Sequence, residues 1–186
     1  MGLNKTPSAN RVHIGFFGRR NVGKSSIVNA IIGQDLAVVS NIKGTTTDPI
    51  YKSMELLPLG PVMIIDTPGI DDEGELGELR IKKTHQVLNK IDIAILVIDA
   101  TLGKASEDKE LITLFEKRDI NYIVVYNKSD LVAEKISGND KEIYVSAITK
   151  YNIESLKGKI ANIESTRGSD RRIVQDLISP SDFVVL

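Results

Sequence analysis

An eight-residue segment near the start of the chain constrains its fold more than any other feature. Residues 18–25 read GRRNVGKS and lie between an apolar, strand-like run at 12–17 and a helix-like run that begins near Ser25. A GxxxxGKS segment between a strand and a helix is typical of a loop that binds phosphate. Its glycines let backbone N–H groups turn inward, and the helix N-terminus adds partial positive charge. The segment therefore predicts an α/β domain that binds a nucleoside triphosphate.

Two side chains of this phosphate loop suit the phosphates and their cation. Lys24 brings a compact positive charge to the terminal phosphates, and the Ser25 hydroxyl can bind Mg²⁺ held between them. The backbone of the loop surrounds the same anion. The predicted phosphate-binding residues are Arg19, Arg20, Asn21, Val22, Gly23, Lys24, Ser25 and Ser26.

A second motif, at 127–130, indicates which base the nucleotide carries. It reads Asn-Lys-Ser-Asp and directly follows an apolar run at 122–126. The Asp130 carboxylate can accept two hydrogen bonds from guanine's ring N–H and exocyclic amine, a pair that adenine does not offer. Lys128 would lay its aliphatic stem over the base, and the asparagine would brace the loop. The predicted guanine pocket consists of Asn127, Lys128, Asp130, Ser146 and Ala147.

Two polar segments between these motifs are suited to respond to the γ-phosphate. A buried-strand pattern at 62–65 ends in Asp-Thr-Pro-Gly, where Asp66 can hold Mg²⁺ through water and the N–H of Gly69 can hydrogen-bond the γ-phosphate. Earlier, residues 44–48 read GTTTD, and we assign the hydroxyl that completes the magnesium shell to Thr46. The predicted magnesium ligands are thus Ser25, Thr46 and Asp66.

In their order along the chain, these motifs resemble those of the translation-factor-related class of small GTPases, and within it the TrmE-Era group. The resemblance rests on the asparagine of GRRNVGKSS, on GTTTD, and on DTPG followed by the apolar Ile70. It implies hydrolysis of GTP to GDP without the water-orienting glutamine of Ras-like proteins. It also implies a potassium ion bound by Asn21 and by carbonyls around 41–44, in the role of an arginine finger. An Asn21 side chain that only caps the loop remains an alternative.

The residue that positions the attacking water is assigned through the same resemblance. Gap-free counting from Asp66 places Glu78 where MnmE-like GTPases have a catalytic glutamate. The acidic stretch at 71–78 can equally be a solvated switch segment. The predicted catalytic residues are Asn21, Lys24, Thr46, Gly69 and Glu78.

Residues 10–31, 66–80 and 176–186 resemble a narrower family, the hydrogenase maturation GTPases known as HydF. In that family the GTPase domain precedes a dimerisation domain and a cysteine-containing domain with an iron–sulfur cluster, and the protein is a scaffold or carrier for the di-iron unit of FeFe-type hydrogenase. The resemblance implies the switch domain of such a scaffold, with maturation proteins as partners and a homodimer formed through the switch face or the following domain. The chain contains no cysteine, so the cluster chemistry is expected on other residues of such a protein.

Apolar runs alternate with helix-period segments, which predicts an α/β domain of the Ras-like P-loop GTPase type, with a mostly parallel six-stranded sheet, one antiparallel strand and helices on both faces. Only a short turn at 59–60, flanked by prolines, separates the second and third strands, so that pair is expected to be the antiparallel hairpin. The predicted strands are 12–17, 51–57, 61–66, 92–98, 121–126 and 142–145, and the predicted helices are 24–33, 76–90, 106–118 and 152–164. The predicted domains are an N-terminal tail at 1–10, the GTPase domain at 11–165, and at 166–186 a linker with the first strand of a following domain.

Composition bears on location and partners. The formal net charge of −1 lacks the basic footprint expected of a nucleic-acid reader. No apolar stretch reaches the length of a membrane span, and the lack of cysteine fits a reducing cytosol, so a cytoplasmic location without membrane partners is expected. A GTP-sensing interaction module with negligible turnover remains an alternative to a hydrolase. An RNA-modification or ribosome-assembly GTPase of the same group remains an alternative biological role.

Overall fold

The computed structural model describes residues 11–33, 40–42, 50–67, 82, 84–133 and 139–177, with the backbone alone described for 40–42 and 167–177. The strands are β1 (Val12–Phe17), β2 (Ser40–Ile42), β3 (Ile50–Leu56), β4 (Gly60–Asp66), β5 (Ile93–Asp99), β6 (Asn121–Asn127) and β7 (Glu142–Tyr144). The helices are α1 (Lys24–Ile32), α2 with its helical residues at 84–88, α3 (Ser106–Lys117) and α4 (Ile153–Leu177), and a 3-10 turn spans Ser129–Leu131.

The strands form one seven-stranded sheet in the order β2-β3-β4-β1-β5-β6-β7. Strand β3 pairs antiparallel with both of its neighbours, and all other pairs are parallel. The predicted hairpin is therefore β3–β4, and the predicted Ras-like α/β class is confirmed. This topology brings the carboxyl ends of β1, β4, β5 and β6 to one edge of the sheet, where open α/β sheets bind their ligands.

All six predicted strands are present with bounds that agree to within one residue, and β2 makes the sheet one strand wider than the predicted six. Strand β2 has only three residues, in which Ser40 pairs with Ser53 and Ile42 with Tyr51. Three residues are too few to show the alternation that marks a strand. The open edge of β3 supplies the hydrogen-bonding partners that make this segment a strand, and that edge exists only in the folded sheet.

Helices cover both faces of the sheet and hold its loops in place. Strand β5 is buried at every residue, as expected for a central strand covered on both faces. Helices α1 and α4 pack on one face, where Ile27 and Leu156 are fully buried. Helices α2 and α3 pack on the other face, where the rings of Phe17 and Phe115 lie 5.3 Å apart. Among the described residues, no helix combines the length and the apolar character needed to cross a membrane.

Helix α4 continues to Leu177, beyond the predicted end at 164 and through residues that the sequence assigns to a polar linker. The Ser165 hydroxyl donates to the carbonyl oxygen of Ala161 at 2.8 Å, and the Thr166 hydroxyl donates to that of Asn162 at 3.0 Å. These bonds satisfy hydroxyls that would otherwise favour a turn, so the helix accommodates them. The domain boundary near 165 remains a prediction, and the predicted strand at 183–186 lies outside the described residues.

Candidate nucleotide-binding site

The phosphate loop between β1 and α1 has left-handed backbone at Gly18, Asn21 and Gly23, with φ values of 137°, 58° and 93°. A Cβ atom on Gly18 would lie 2.2 Å from the carbonyl oxygen of Val97, and one on Gly23 would lie 2.3 Å from Nδ2 of Asn127. Both backbone angle and lack of space therefore require glycine at these two positions. Left-handed backbone is uncommon for a residue with a side chain and is concentrated at functional sites. Asn21 is such a residue, and it lies at the exposed tip of the loop.

Lys24 is the first residue of α1, and its ammonium group lies within the phosphate loop. Its Nζ donates to the carbonyl oxygens of Gly18 at 2.9 Å and Arg19 at 2.7 Å, and the residue is only 8% exposed. The N-terminus of α1 adds its partial positive charge at the same place. Two positive groups thus converge where the sequence predicts the phosphates.

Ser25 and Asp66, two of the three predicted magnesium ligands, are in direct contact. The Ser25 hydroxyl donates to Oδ2 of Asp66 at 2.8 Å. Asp66 ends β4 opposite Phe16 of β1, and the next residue, Thr67, donates its hydroxyl to the Phe16 carbonyl at 2.5 Å. A hydroxyl and a carboxylate are the hard oxygen ligands that Mg²⁺ prefers, so these residues fit the ion. The third predicted ligand, Thr46, lies outside the described residues.

Asn127 connects the phosphate loop to the loops that follow β6 and β7. Its Nδ2 donates to the carbonyl oxygen of Val22 at 3.0 Å, and its Oδ1 accepts from the N–H of Ala147 at 3.1 Å. The residue is 3% exposed, so both bonds are shielded from water. Three loops that are distant in sequence are held together by this one amide, which is the geometry that the predicted bracing role requires.

The predicted base-covering lysine, Lys128, has a partner that the sequence analysis does not single out. Lys128 has left-handed backbone with φ of 62°, and its Nζ lies 2.5 Å from Oδ2 of Asp99 at the end of β5. The other carboxylate oxygen accepts the N–H and the hydroxyl of Thr101 at 2.9 and 2.6 Å. Burial favours the neutral form of Asp99, but the hydrogen bonds from Lys128 and Thr101 outweigh burial and hold its pKa below the ordinary value. The signal in the sequence is a carboxylate at the end of an otherwise apolar strand, as at Asp66.

Arg19 contributes to the structure in a way that the sequence does not predict. Its guanidinium donates to the carbonyl oxygen of Gly103 at 3.3 Å, and its Nε lies 3.6 Å from Oδ2 of Asp108. Asp108 is 1% exposed and also accepts the N–H of Ala105 at 2.9 Å. Burial raises the pKa of Asp108 above its ordinary value, although the bond from Ala105 and the charge of Arg19 oppose the rise. The Arg19 side chain thus connects the phosphate loop to α3.

The remaining predicted residues are a buried serine, three exposed side chains, and three residues outside the described part of the chain. Ser146 is fully buried, and its hydroxyl accepts the N–H of Thr149 at 3.1 Å, which shapes the loop that carries Ala147. Three further predicted residues are exposed: Arg20, Ser26 and Asp130. Outside the described residues lie Thr46, Gly69 and Glu78, whose placement stays a prediction.

The loop between the first strand and the first helix requires glycine at two positions, contains the lysine ammonium and lies beside a serine–aspartate pair. These features define a P-loop nucleotide-binding domain. The sequence model of the family described as 50S ribosome-binding GTPase matches residues 13–128. The chain therefore belongs to this family of GTPases, and the predicted GTPase class is confirmed.

Two curated relatives that match most of this chain are also GTPases by name. The chain is 34% identical over 177 residues to GTPase Der of Wolinella succinogenes, a match that covers 87% of this chain and 37% of Der. It is 39% identical over 151 residues to the tRNA modification GTPase MnmE of Mycoplasma genitalium, covering 77% of this chain and 34% of MnmE. The chain thus spans about a third of the length of these relatives.

Solved structures share the fold. The structure of Aquifex aeolicus Era bound to GDP.AlF4- aligns with a TM-score of 0.65 at 24% identity, covering 81% of this chain and 56% of Era. At that identity the likeness concerns the fold.

Proposed function

We propose that this domain binds GTP and GDP together with Mg²⁺ and hydrolyses GTP to GDP and phosphate. The observation that carries the proposal is the convergence of three separate chain segments at one edge of the sheet: Lys24 in the phosphate loop, Asp66 bonded to Ser25, and Asn127 bonded to the phosphate loop. Membership in a GTPase family supports the same activity.

The residues of the proposed site have distinct parts in nucleotide binding and in the proposed reaction. The Lys24 ammonium would oppose the negative charge that develops on the phosphate oxygens. Ser25 and Asp66 would hold the magnesium ion, which neutralises charge on the β- and γ-phosphates when it is bound. Asp130 would select guanine. Thr46 and Gly69 would sense the γ-phosphate.

We further propose that hydrolysis is potassium-assisted, with Asn21 as a ligand of the ion. Support comes from the exposed position of Asn21 at the loop tip and from its left-handed backbone. An amide oxygen is a suitable ligand for a hard cation. Glu78 is the proposed water-positioning residue.

Two biological roles are proposed for this GTPase. The family description and the MnmE relative favour an RNA-modification or ribosome-assembly role. A hydrogenase maturation role, as in HydF, is the second candidate, and the resemblance of 176–186, which lies beyond the residues matched by the family model, supports it. Maturation partners belong to this second proposal, whereas a homodimer through the switch face or the following domain and a cytoplasmic location are proposed for either role.

The first experiment measures GTP hydrolysis in potassium and in sodium at equal ionic strength, over a range of protein concentrations. Wild type and Asn21→Ala are compared with Asn29→Ala, which removes an exposed asparagine from α1 outside the loop. We expect turnover in potassium to exceed that in sodium by roughly ten-fold or more, Asn29→Ala to retain this ratio, and Asn21→Ala to lose it.

Other outcomes separate the parts of the proposal. Tight GTP binding with equal, negligible turnover in both salts would contradict hydrolysis by this domain and favour the GTP-sensing module. Equal but substantial turnover would contradict only the potassium role. The biological role is tested on the gene: a reading frame that continues into a cysteine-bearing domain supports hydrogenase maturation, and one that continues without cysteines contradicts it.

A further inference from the structure

The ion pair between Asp99 and Lys128 links two adjacent strand ends at the proposed base pocket. Strands β5 and β6 pair in parallel, with Asp99 directly opposite Asn127, the residue before Lys128. The N–H of Ala100 donates to the carbonyl oxygen of Asn127 at 2.8 Å, which locks the two strand ends together. The carboxylate and the lysine therefore extend from two adjacent strand ends that are hydrogen-bonded to each other.

The carboxylate of Asp99 is held in one orientation. Thr101 occupies one oxygen through two hydrogen bonds, so the other oxygen points to the ammonium of Lys128. The side chain of Asp99 is only 8% exposed, whereas that of Lys128 is 32% exposed. The charged end of the lysine is thus fixed while part of its side chain stays accessible.

We propose that Asp99 is a positioning residue for the nucleotide base: by holding the ammonium of Lys128, it orders the lysine's aliphatic stem as a preformed wall for the flat face of guanine. This inference rests on the proposed guanine-nucleotide site. A long lysine side chain that is ordered before binding loses less conformational entropy when the ligand arrives. The left-handed backbone of Lys128 indicates that the fold maintains this placement against a local conformational preference.

The alternative is that Asp99 only ends β5 through its bonds to Thr101. A purely structural role would lower stability and would weaken nucleotide binding whether or not the lysine is present. A positioning role requires Lys128, so the effects of changing the two residues must not add.

The experiment measures dissociation constants of GDP and inosine diphosphate for the full chain. The variants are Asp99→Asn, Lys128→Ala and the double variant, with Asp92→Asn as the control, because Asp92 lies just before the opposite end of β5, where its carboxylate accepts the N–H of His13. Inosine lacks the exocyclic amine that Asp130 is proposed to read but presents the same ring face. We expect Asp99→Asn to raise the dissociation constants of GDP and of inosine diphosphate by the same factor, about ten-fold. The double variant should bind no more weakly than Lys128→Ala, and Asp92→Asn should bind as wild type does.

Two results would overturn the inference: an unchanged dissociation constant in Asp99→Asn, or a double variant weaker than Lys128→Ala by the full factor seen for Asp99→Asn alone. If Asp99→Asn does not fold, Lys128→Met tests the same pair from the other side, since it keeps a stem and removes the ammonium. Lys128→Met should then raise the dissociation constants of both nucleotides about ten-fold, and unchanged binding would contradict the inference. Failure of the wild-type chain to bind GDP would instead refute the proposed guanine site itself.

Discussion

At the scale of single residues, the phosphate loop and the loop after β6 fit together only because Gly23 has no Cβ atom. The Asn127 amide occupies that space and donates to the carbonyl oxygen of Val22. The GxxxxGKS pattern predicts a glycine here because of its backbone angle. The requirement for space is visible only when Asn127, more than a hundred residues later in the chain, is in place.

We predict that Gly23→Ala destabilises the fold more than Gly60→Ala does. Both glycines have nearly the same φ, 93° and 94°, so each alanine variant loses about 1–2 kcal/mol from the left-handed backbone. Only Gly23 has a neighbour in the way, which adds about 1–3 kcal/mol of overpacking; Gly60 has nothing within 4 Å. Urea unfolding without nucleotide measures the difference, and GDP titration should show binding weakened roughly ten-fold or more in Gly23→Ala alone. Equal effects of the two substitutions would contradict the packing argument.

At the scale of elements, the start of α3 is anchored to the phosphate loop. Asp108, in the first turn of α3, accepts the N–H of Ala105 and so caps the helix, while the same carboxylate oxygen faces Arg19. The carbonyl oxygen of Gly103, just before α3, accepts from the same guanidinium. The phosphate loop and the β5–α3 connection are therefore in direct contact through Arg19.

We predict that Asp108 makes the free energy of unfolding increase when the pH is lowered. Because burial raises its pKa, the folded state binds this proton more tightly than the unfolded chain does, so its contribution to stability increases as the pH falls through the raised pKa. Below the ordinary aspartate pKa both states are protonated and the contribution is constant. Relative to Asp108→Asn, which cannot titrate, wild type should gain up to about 1.4 kcal/mol for each unit by which the pKa is raised.

Urea unfolding at a series of pH values from neutrality down to about 4 measures this gain. Glu110→Gln serves as the control, because it removes a solvent-exposed carboxyl from the same helix. The prediction would be contradicted if the free energy of unfolding of wild type relative to Asp108→Asn stayed constant with pH, or if it decreased on acidification.

At the scale of the whole molecule, one sheet with helices on both faces carries Lys24, Asp66 and Asn127, the described core of the proposed site, on loops and strand ends at its carboxyl edge. A ligand that bridges the loops of β1, β4 and β6 must therefore stabilise the complete domain. The gain is about 2.7 kcal/mol at a ligand concentration 100 times the dissociation constant.

We predict that Asp130→Asn changes which nucleotide stabilises the domain. With Mg²⁺ and excess GDP, wild type should unfold about 5–10 °C higher than without nucleotide, and the variant should not. Xanthosine diphosphate should stabilise the variant, because the new amide donates to the xanthine carbonyl that replaces guanine's amine. Thermal unfolding measures both shifts, with Asp140→Asn as an exposed control that should respond as wild type does. A variant that retains the preference for GDP would refute the assignment of Asp130 to guanine.

Local chemistry along the chain is enough to predict the phosphate loop with its two required glycines, the polar motifs after apolar strands, and six strands with the β3–β4 hairpin. These follow from backbone angles and from hydrophobic period, which neighbouring residues define. Tertiary packing sets which side chains from distant segments pair, as Asp99 does with Lys128 and Arg19 with Asp108. It also decided that β2 is a strand and that α4 continues to Leu177. Such pairs depend on strand register and helix placement, so no local pattern in the chain specifies them.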